Sequence, residues 1–147
     1  MPDENTLERA QQDKREGKSA STQAGEFVRE EFHHIREGKH GARNTKQAIA
    51  IGLSKARRAG VELPPPKKGR ASEQVRRHAE RDYEKGHSGS HRTSPTRSRA
   101  VGRALKREGH GAASTSAISR QAHRAAGNRS ASERSAAARK AARTRAS

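Results

Sequence analysis

Asn44-Thr45-Lys46-Gln47-Ala48-Ile49-Ala50-Ile51-Gly52-Leu53-Ser54-Lys55-Ala56-Arg57-Arg58-Ala59-Gly60 is the stretch whose reading decides the fold. Asn44 or Thr45 is placed to cap a helix start, because a short polar side chain there can accept from an otherwise orphaned backbone N–H. Basic residues fill the last turn, where the helix dipole favours them, and Gly60 stands where a left-handed stop is needed. Ala48, Ile49, Gly52, Leu53 and Ala56 share one face of small and apolar residues. Gly52 in mid-helix costs about 1 kcal/mol against Ala, which predicts a close helix–helix approach there.

Upstream, Val28, Phe32 and Ile35 fall at helical spacing with Phe27 beside them. Ser21 or Thr22 can cap that helix, Glu26, Glu30 and Glu31 suit its N-terminal half, and Gly38 and Gly41 break it. Downstream, Val61 and Leu63 can fold back before Pro64-Pro65-Pro66 forces an extended linker. Residues 22–63 therefore read as a helical hairpin and as the one expected packed core. Some forty residues without metal or disulfide lie near the lower limit for independent folding.

The flanking segments are poorer in apolar side chains. Residues 1–21 read as a polar, acidic tail with Leu7 alone as a large apolar group after Met1. Residues 64–70 form a Pro/Lys linker. Residues 71–109 read as a basic helical region, with a polar helix from about Ser72 to Lys85 carrying Val75 and Tyr83. A second helix there starts at Ser94-Pro95 and carries a thin stripe of Ala100, Val101, Ala104 and Leu105. Residues 110–147 are low in complexity: Ser116 to Ala126 can be helical, and Ser130 with Glu133 has capping-box spacing for a last Ala/Arg helix. The Gly/His stretches at Glu37-Gly38-Lys39-His40-Gly41, Glu84-Lys85-Gly86-His87-Ser88-Gly89 and Arg107-Glu108-Gly109-His110-Gly111 suggest an imperfect repeat. The predicted fold class is all-α and partly disordered: a small hairpin, loosely packed basic helices and an Ala/Ser/Arg-rich tail.

Composition excludes most function classes. Of 147 residues, 28% are hydrophobic, and most of those are Ala; Leu, Ile, Val and Phe fill only 14 positions. Ordering a residue costs about 1–2 kcal/mol, so this chain has too little apolar area to close a large enzyme core. No apolar run is long enough to span a membrane, and no secretory signal is expected from the acidic start Met1-Pro2-Asp3-Glu4-Asn5. There is no Cys, hence no disulfide, thiol nucleophile or Cys-type zinc site. No Ser lies in a nucleophile elbow and no Gly-rich phosphate loop follows a strand, so no enzymatic activity and no cofactor are expected. A cytoplasmic, nucleoid location follows as the default.

Charge is what the chain has in excess. Lys and Arg number 33 against 16 Asp and Glu, a net of +17. Residues 1–37 hold nine acidic and six basic side chains, while residues 38–147 hold 27 basic and seven acidic. Cations spread through Ala, Ser and Gly suit a long polyanion, and one Tyr with two Phe cannot build the stacking platforms of single-strand binders. The expected function is largely non-sequence-specific binding of duplex phosphates, of the nucleoid-associated, histone-like kind. The expected contacts are Lys55, Arg57, Arg58, Lys67, Lys68, Arg70, Arg97, Arg99, Arg103, Lys106, Arg107, Arg134, Arg139, Lys140, Arg143 and Arg145. Alternatives are an RNA- or ribosome-associated protein, or a protein-interaction or self-associating hairpin whose tail anchors it to nucleic acid. Membrane binding is not expected, since no helix pairs a broad apolar face with its charge.

Two resemblances accompany this reading. The stretch from Arg29 to Gly60, above all Lys46 to Gly60, resembles a family of small, basic, uncharacterised bacterial proteins with a similar hairpin and an Ala/Lys/Arg-rich tail; it implies a bacterial origin and no particular activity. The C-terminal third is similar to the tails of linker histones and bacterial histone-like proteins. Pro66-Lys67-Lys68-Gly69-Arg70 resembles an extended minor-groove hook, without the Pro that normally follows Gly-Arg. His33-His34 with His40, or His87 with His91, could offer metal ligands, but their spacings match no closed tetrahedral pattern and no metal is expected.

Overall fold

The computed structural model describes residues 2–89 and 94–146. They form seven α-helices: α1 (Glu4–Arg15), α2 (Ala20–Arg36), α3 (Thr45–Arg58), α4 (Glu73–His87), α5 (Pro95–Lys106), α6 (Thr115–Gly127) and α7 (Ala131–Ala146), with a 3-10 turn at Gly111–Ala113. No strand occurs among the described residues.

The α2–α3 hairpin is the centre of the fold, as its sequence predicts. Asn44 Oδ1 accepts from the Gln47 N–H at 2.8 Å and starts α3. Gly60, at φ +94°, ends it: its N–H meets the Arg57 carbonyl at 3.1 Å while the Val61 N–H reaches Ala56 at 3.1 Å. This paired closure drops Val61 into the same apolar cluster as Ala56. α2 closes the same way on Gly38, φ +77°. Its start differs from expectation: Ser19 is the cap, accepting from the Thr22 N–H at 3.3 Å. Gly52 does what its position implies, since a Cβ there would lie 2.6 Å from Val28 Cα. Two helices approach so closely only where one has no side chain.

Two apolar clusters flank that contact. At one end Ala24 and Phe27 of α2 meet Ala56 and Val61, with Leu53 and Leu63 packed around them. At the other, Ile35 and Phe32 meet Ala42 and Ala48. Phe27 and Ile35 are fully buried, each contributing roughly 1.5–3 kcal/mol. Between the clusters Val28 is half-buried against Gly52, and the fully buried residue of α2 there is Glu31, whose side chain is 0% exposed.

The core is wider than the hairpin. The segment read as a solvated tail contributes α1, which packs on α2 with Thr6, Ala10 and Asp13 buried and Leu7 against the Phe27 cluster. Small and polar residues form its inner face, so the apolar pattern does not reveal it. α4 packs on α3 through Ala79, Asp82 and Gly86, one helical face. Asp82 accepts from Ser54 Oγ at 2.7 Å and Arg58 Nε at 2.8 Å, and a Cβ on Gly86 would lie 1.8 Å from the Arg57 carbonyl oxygen. Val75, one of the two larger apolar residues on this helix, is exposed. With Gly86 inside α4 and Gly38 outside α2, the suggested repeat is not a structural one.

Ala112 and Ala113 seal the Ile35 end of the core. Thr45 Oγ1 donates to the Ala112 carbonyl at 2.7 Å and Arg36 Nε to that of Ala113 at 2.8 Å. The loop before α3 is stitched to the end of α5, Gly41 N–H to Leu105 O at 2.9 Å and Ala42 N–H to Gly109 O at 3.0 Å. Beyond these attachments burial ends. α5 and α7 hold no buried residue and α6 holds only Ala117; the α5 stripe seats on nothing, with Val101 59% exposed. Their ends are nonetheless well specified: Ser94 caps α5 with Pro95 at its first turn, and Ser130 and Glu133 exchange reciprocal backbone bonds of 3.1 and 2.8 Å. Behind that cap the Ala/Arg helix α7 runs from Ala131 to Ala146.

Candidate nucleic-acid interface

From residue 94 to the end, thirteen Lys and Arg face two Glu. Arg99 and Arg103 on α5 and Arg107 at its C-cap recur every four residues, so their guanidinium groups line one side of the helix. Arg97, Arg99, Arg103, Lys106, Arg107, Arg139 and Lys140 are exposed, with no carboxylate in ion-pair distance among the described residues. Lys67 and Lys68 are exposed in the same way. Their segment is not the extended hook: Arg70 N–H bonds back to Lys67 O at 3.0 Å, and Gly69 at φ +87° makes a tight turn.

Other expected contacts have work inside the protein. Lys55 turns inward, because it lies one turn from Gly52 on the packed face, and its ammonium meets Glu31. Arg57 is buried, donating from Nε and Nη2 to the Leu63 and Pro64 carbonyls at 3.2 Å each, which pins the chain leaving α3. Burial pushes its guanidinium below the ordinary arginine value, with Asp82 opposing the shift. Arg58 is 51% exposed but paired with Asp82. Arg70 pairs with Glu133, and Arg134 donates to the Ala126 and Arg129 carbonyls at 3.3 and 2.7 Å, tying α7 to the end of α6. Arg145 donates within α7 to Ala141 O at 3.4 Å, and Arg143 also has a partner within the chain. The Glu133 carboxyl is held below the usual carboxylate range, first by the Ser130 backbone N–H and then by Arg70.

The structure adds a basic groove that the sequence alone does not display. Two adjoining hollows of about 380 and 430 Å³ share Asn44 and Arg124. Arg43 and Lys46 line them from the start of α3, and Arg120 and Arg124 from α6. The N-terminal end of the α3 dipole adds positive potential at Asn44. Among the described residues, Arg124 is the one of these four cations with a side-chain partner, the neutral Gln121 Oε1 at 3.3 Å. Four cations around a helix N-terminus, against the one carboxylate that lines the second hollow, Glu108, suit a phosphate. The groove forms because the Ala112–Ala113 turn brings α6 against α3, joining residues some eighty positions apart.

Residues 13–68 match a family of unknown function, DUF6496. That span runs from the end of α1 through the hairpin to the Pro/Lys segment and stops short of α4 to α7. No curated protein and no solved structure matches the chain at a significant level.

Proposed function

We propose that the protein binds duplex DNA through its phosphates with little sequence preference, as a nucleoid-associated coat. The carrying observation is the separation of charge: most carboxylates belong to the α1–α4 body, while Arg97, Arg99, Arg103 and Lys106 on α5, Arg139 and Lys140 on α7, and Arg43, Lys46, Arg120 and Arg124 at the groove have no carboxylate in ion-pair distance among the described residues. Each phosphate neutralised by Lys or Arg releases counterions, so many exposed cations give affinity without reading base edges. A stripe such as Arg99–Arg103–Arg107 follows a phosphate backbone, while the groove holds a single phosphate more tightly. No helix among the described residues is long and apolar enough to cross a membrane.

The test is fluorescence anisotropy of labelled duplexes of unrelated sequence at rising salt. About seven phosphate contacts give a log–log slope of roughly −6. Equal affinity for the duplexes and a slope of that order support the reading. A slope near zero, or stronger competition by structured RNA of equal length than by unlabelled duplex, overturns it.

A further inference from the structure

We propose that Glu31, His34 and His40 form a binding site for one divalent transition-metal ion of the zinc type. One carboxylate oxygen and one nitrogen from each ring already lie within 4.8 Å of one another. Glu31 and His34 share a face of α2, three residues apart, and His40 comes from the loop beyond Gly38. A tetrahedral zinc with bonds of about 2.0–2.1 Å holds its ligands about 3.3 Å apart. Side-chain rotation of the order of an ångström therefore closes the set.

Two observations point to a cation here. Neither oxygen of the fully buried Glu31 accepts a hydrogen bond, and Glu30 Oε2 beside it has no partner either. A buried carboxylate left this way is costly unless positive charge compensates it. The compensation present is the Lys55 ammonium on Glu31 Oε1, while His40 Nε2 lies 3.0 Å from Oε2. The second observation is the orientation of His40. Its Nδ1 faces the Gly41 carbonyl oxygen at 2.9 Å and must carry a proton to do so. In the neutral ring Nε2 is then a bare lone pair aimed at a carboxylate, a repulsive contact unless the ring is protonated or a metal ion sits between them. A backbone carbonyl holding the far N–H of a metal-binding histidine is the usual outer-shell arrangement.

The His34 ring is also held by two carboxylates, with Nε2 3.2 Å from Asp3 Oδ2 and 3.7 Å from Glu30 Oε1. Asp3 and Glu30 thus orient His34 and balance the added charge. Lys55, on a flexible stem with its side chain 25% exposed, is the group an arriving ion displaces from Glu31. Two imidazoles and a carboxylate suit zinc, nickel or cobalt over magnesium or calcium and leave the fourth position open. The ion would fasten the loop that hydrogen-bonds to the end of α5, so metal binding and thermal stability are coupled. This inference is independent of the DNA reading.

The test uses the full chain, stripped with chelator and titrated with Zn²⁺ by calorimetry and with Co²⁺ by visible absorption, with melting followed by circular dichroism. The expected result is one ion per chain, tetrahedral cobalt bands, a raised Tm, and binding at least tenfold weaker in His40→Ala and in Glu31→Gln. His33→Ala, an exposed neighbour, leaves binding unchanged, and Lys55→Met tightens it because the competing ammonium is gone. Should His40→Ala fail to fold, the near-isosteric Glu31→Gln and the opposite effect of Lys55→Met decide the matter. No stoichiometric binding by the unmodified protein, equal loss in His33→Ala, or weaker binding in Lys55→Met overturns the proposal.

Discussion

In the body built from α1–α4, cations meet carboxylates: Arg9 with Glu26, Lys18 with Asp13 and Glu16, Lys39 with Glu37, Lys55 with Glu31, Arg58 with Asp82 and Arg76 with Glu73. In the arm formed by α5–α7, Arg97, Arg99, Arg103, Lys106, Arg139 and Lys140 have no carboxylate in ion-pair distance among the described residues, and the Arg70–Glu133 ion pair ties the arm to the body. The body also contains the buried Phe and Ile residues, whereas α5 and α7 bury nothing. One chain therefore holds two kinds of helix. The body's helices exist because they pack. The arm's depend on Ala propensity, capping and a few hydrogen bonds, which leaves their charge free for another molecule.

Glycine substitutions should separate the two regions most sharply. Gly52→Ala and Gly86→Ala place a methyl group 2.6 Å from Val28 Cα and 1.8 Å from Arg57 O. Each should lower stability by about 1–3 kcal/mol, read as a shift of the urea midpoint. Next in size is Asp82→Ala, which removes the acceptor shared by Ser54 and Arg58. It should cost about 1–2 kcal/mol and raise amide exchange in α4 before α2. Gly102→Ala, inside α5 with open space around its Cβ position, should reverse the sign: helicity rises and stability gains up to about 1 kcal/mol. If Gly102→Ala destabilises as strongly as Gly52→Ala, the arm is packed after all and the contrast fails.

The smallest effect is one of pH. Asp3 and Glu133 are held below the ordinary carboxylate range, by hydrogen bonds from His34 and from the Ser130 N–H respectively. A lowered carboxyl contributes its stability above its unfolded value and loses it as pH falls through the folded one. The contacts at the start of α7 should therefore hold at neutral pH and loosen below about pH 4. The protection factor of the Ser130 amide, which donates to Glu133 Oε2 at 2.8 Å, is the measurement across that window, and protection that rises on acidification would contradict the assignment.

The hairpin was legible because its signals are local. Asn44, Gly60 and the missing side chain of Gly52 each declare a backbone requirement within a few residues. The caps at Ser94 and Ser130 were legible for the same reason. What apolar periodicity could not show is packing by residues that are not apolar. α1 and α4 dock through Thr6, Ala10, Asp13, Ala79, Asp82 and Gly86, a pattern that reads as solvent-facing. Glu31 was read as an N-terminal charge although it lies four residues from both Phe27 and Ile35, on the buried face. By residue type Lys55 and Arg57 read as surface cations, but their distance from Gly52 and the chain reversal at Gly60 turn both inward. The groove needed the fold itself. Arg120 and Arg124 stand one turn apart and Arg43 and Lys46 flank Asn44, but nothing local joins the two pairs.

The most direct test compares two triple variants of equal charge loss in DNA binding. One removes arm cations, Arg99→Gln, Arg103→Gln and Arg107→Gln; the other removes paired body cations, Arg9→Gln, Lys18→Gln and Arg76→Gln. The arm variant should lose affinity and reduce the salt slope by about 3 with an unchanged Tm, while the body variant keeps both affinity and slope. Equal losses in the two variants, or a larger loss in the body variant, would contradict the division of labour between the two regions.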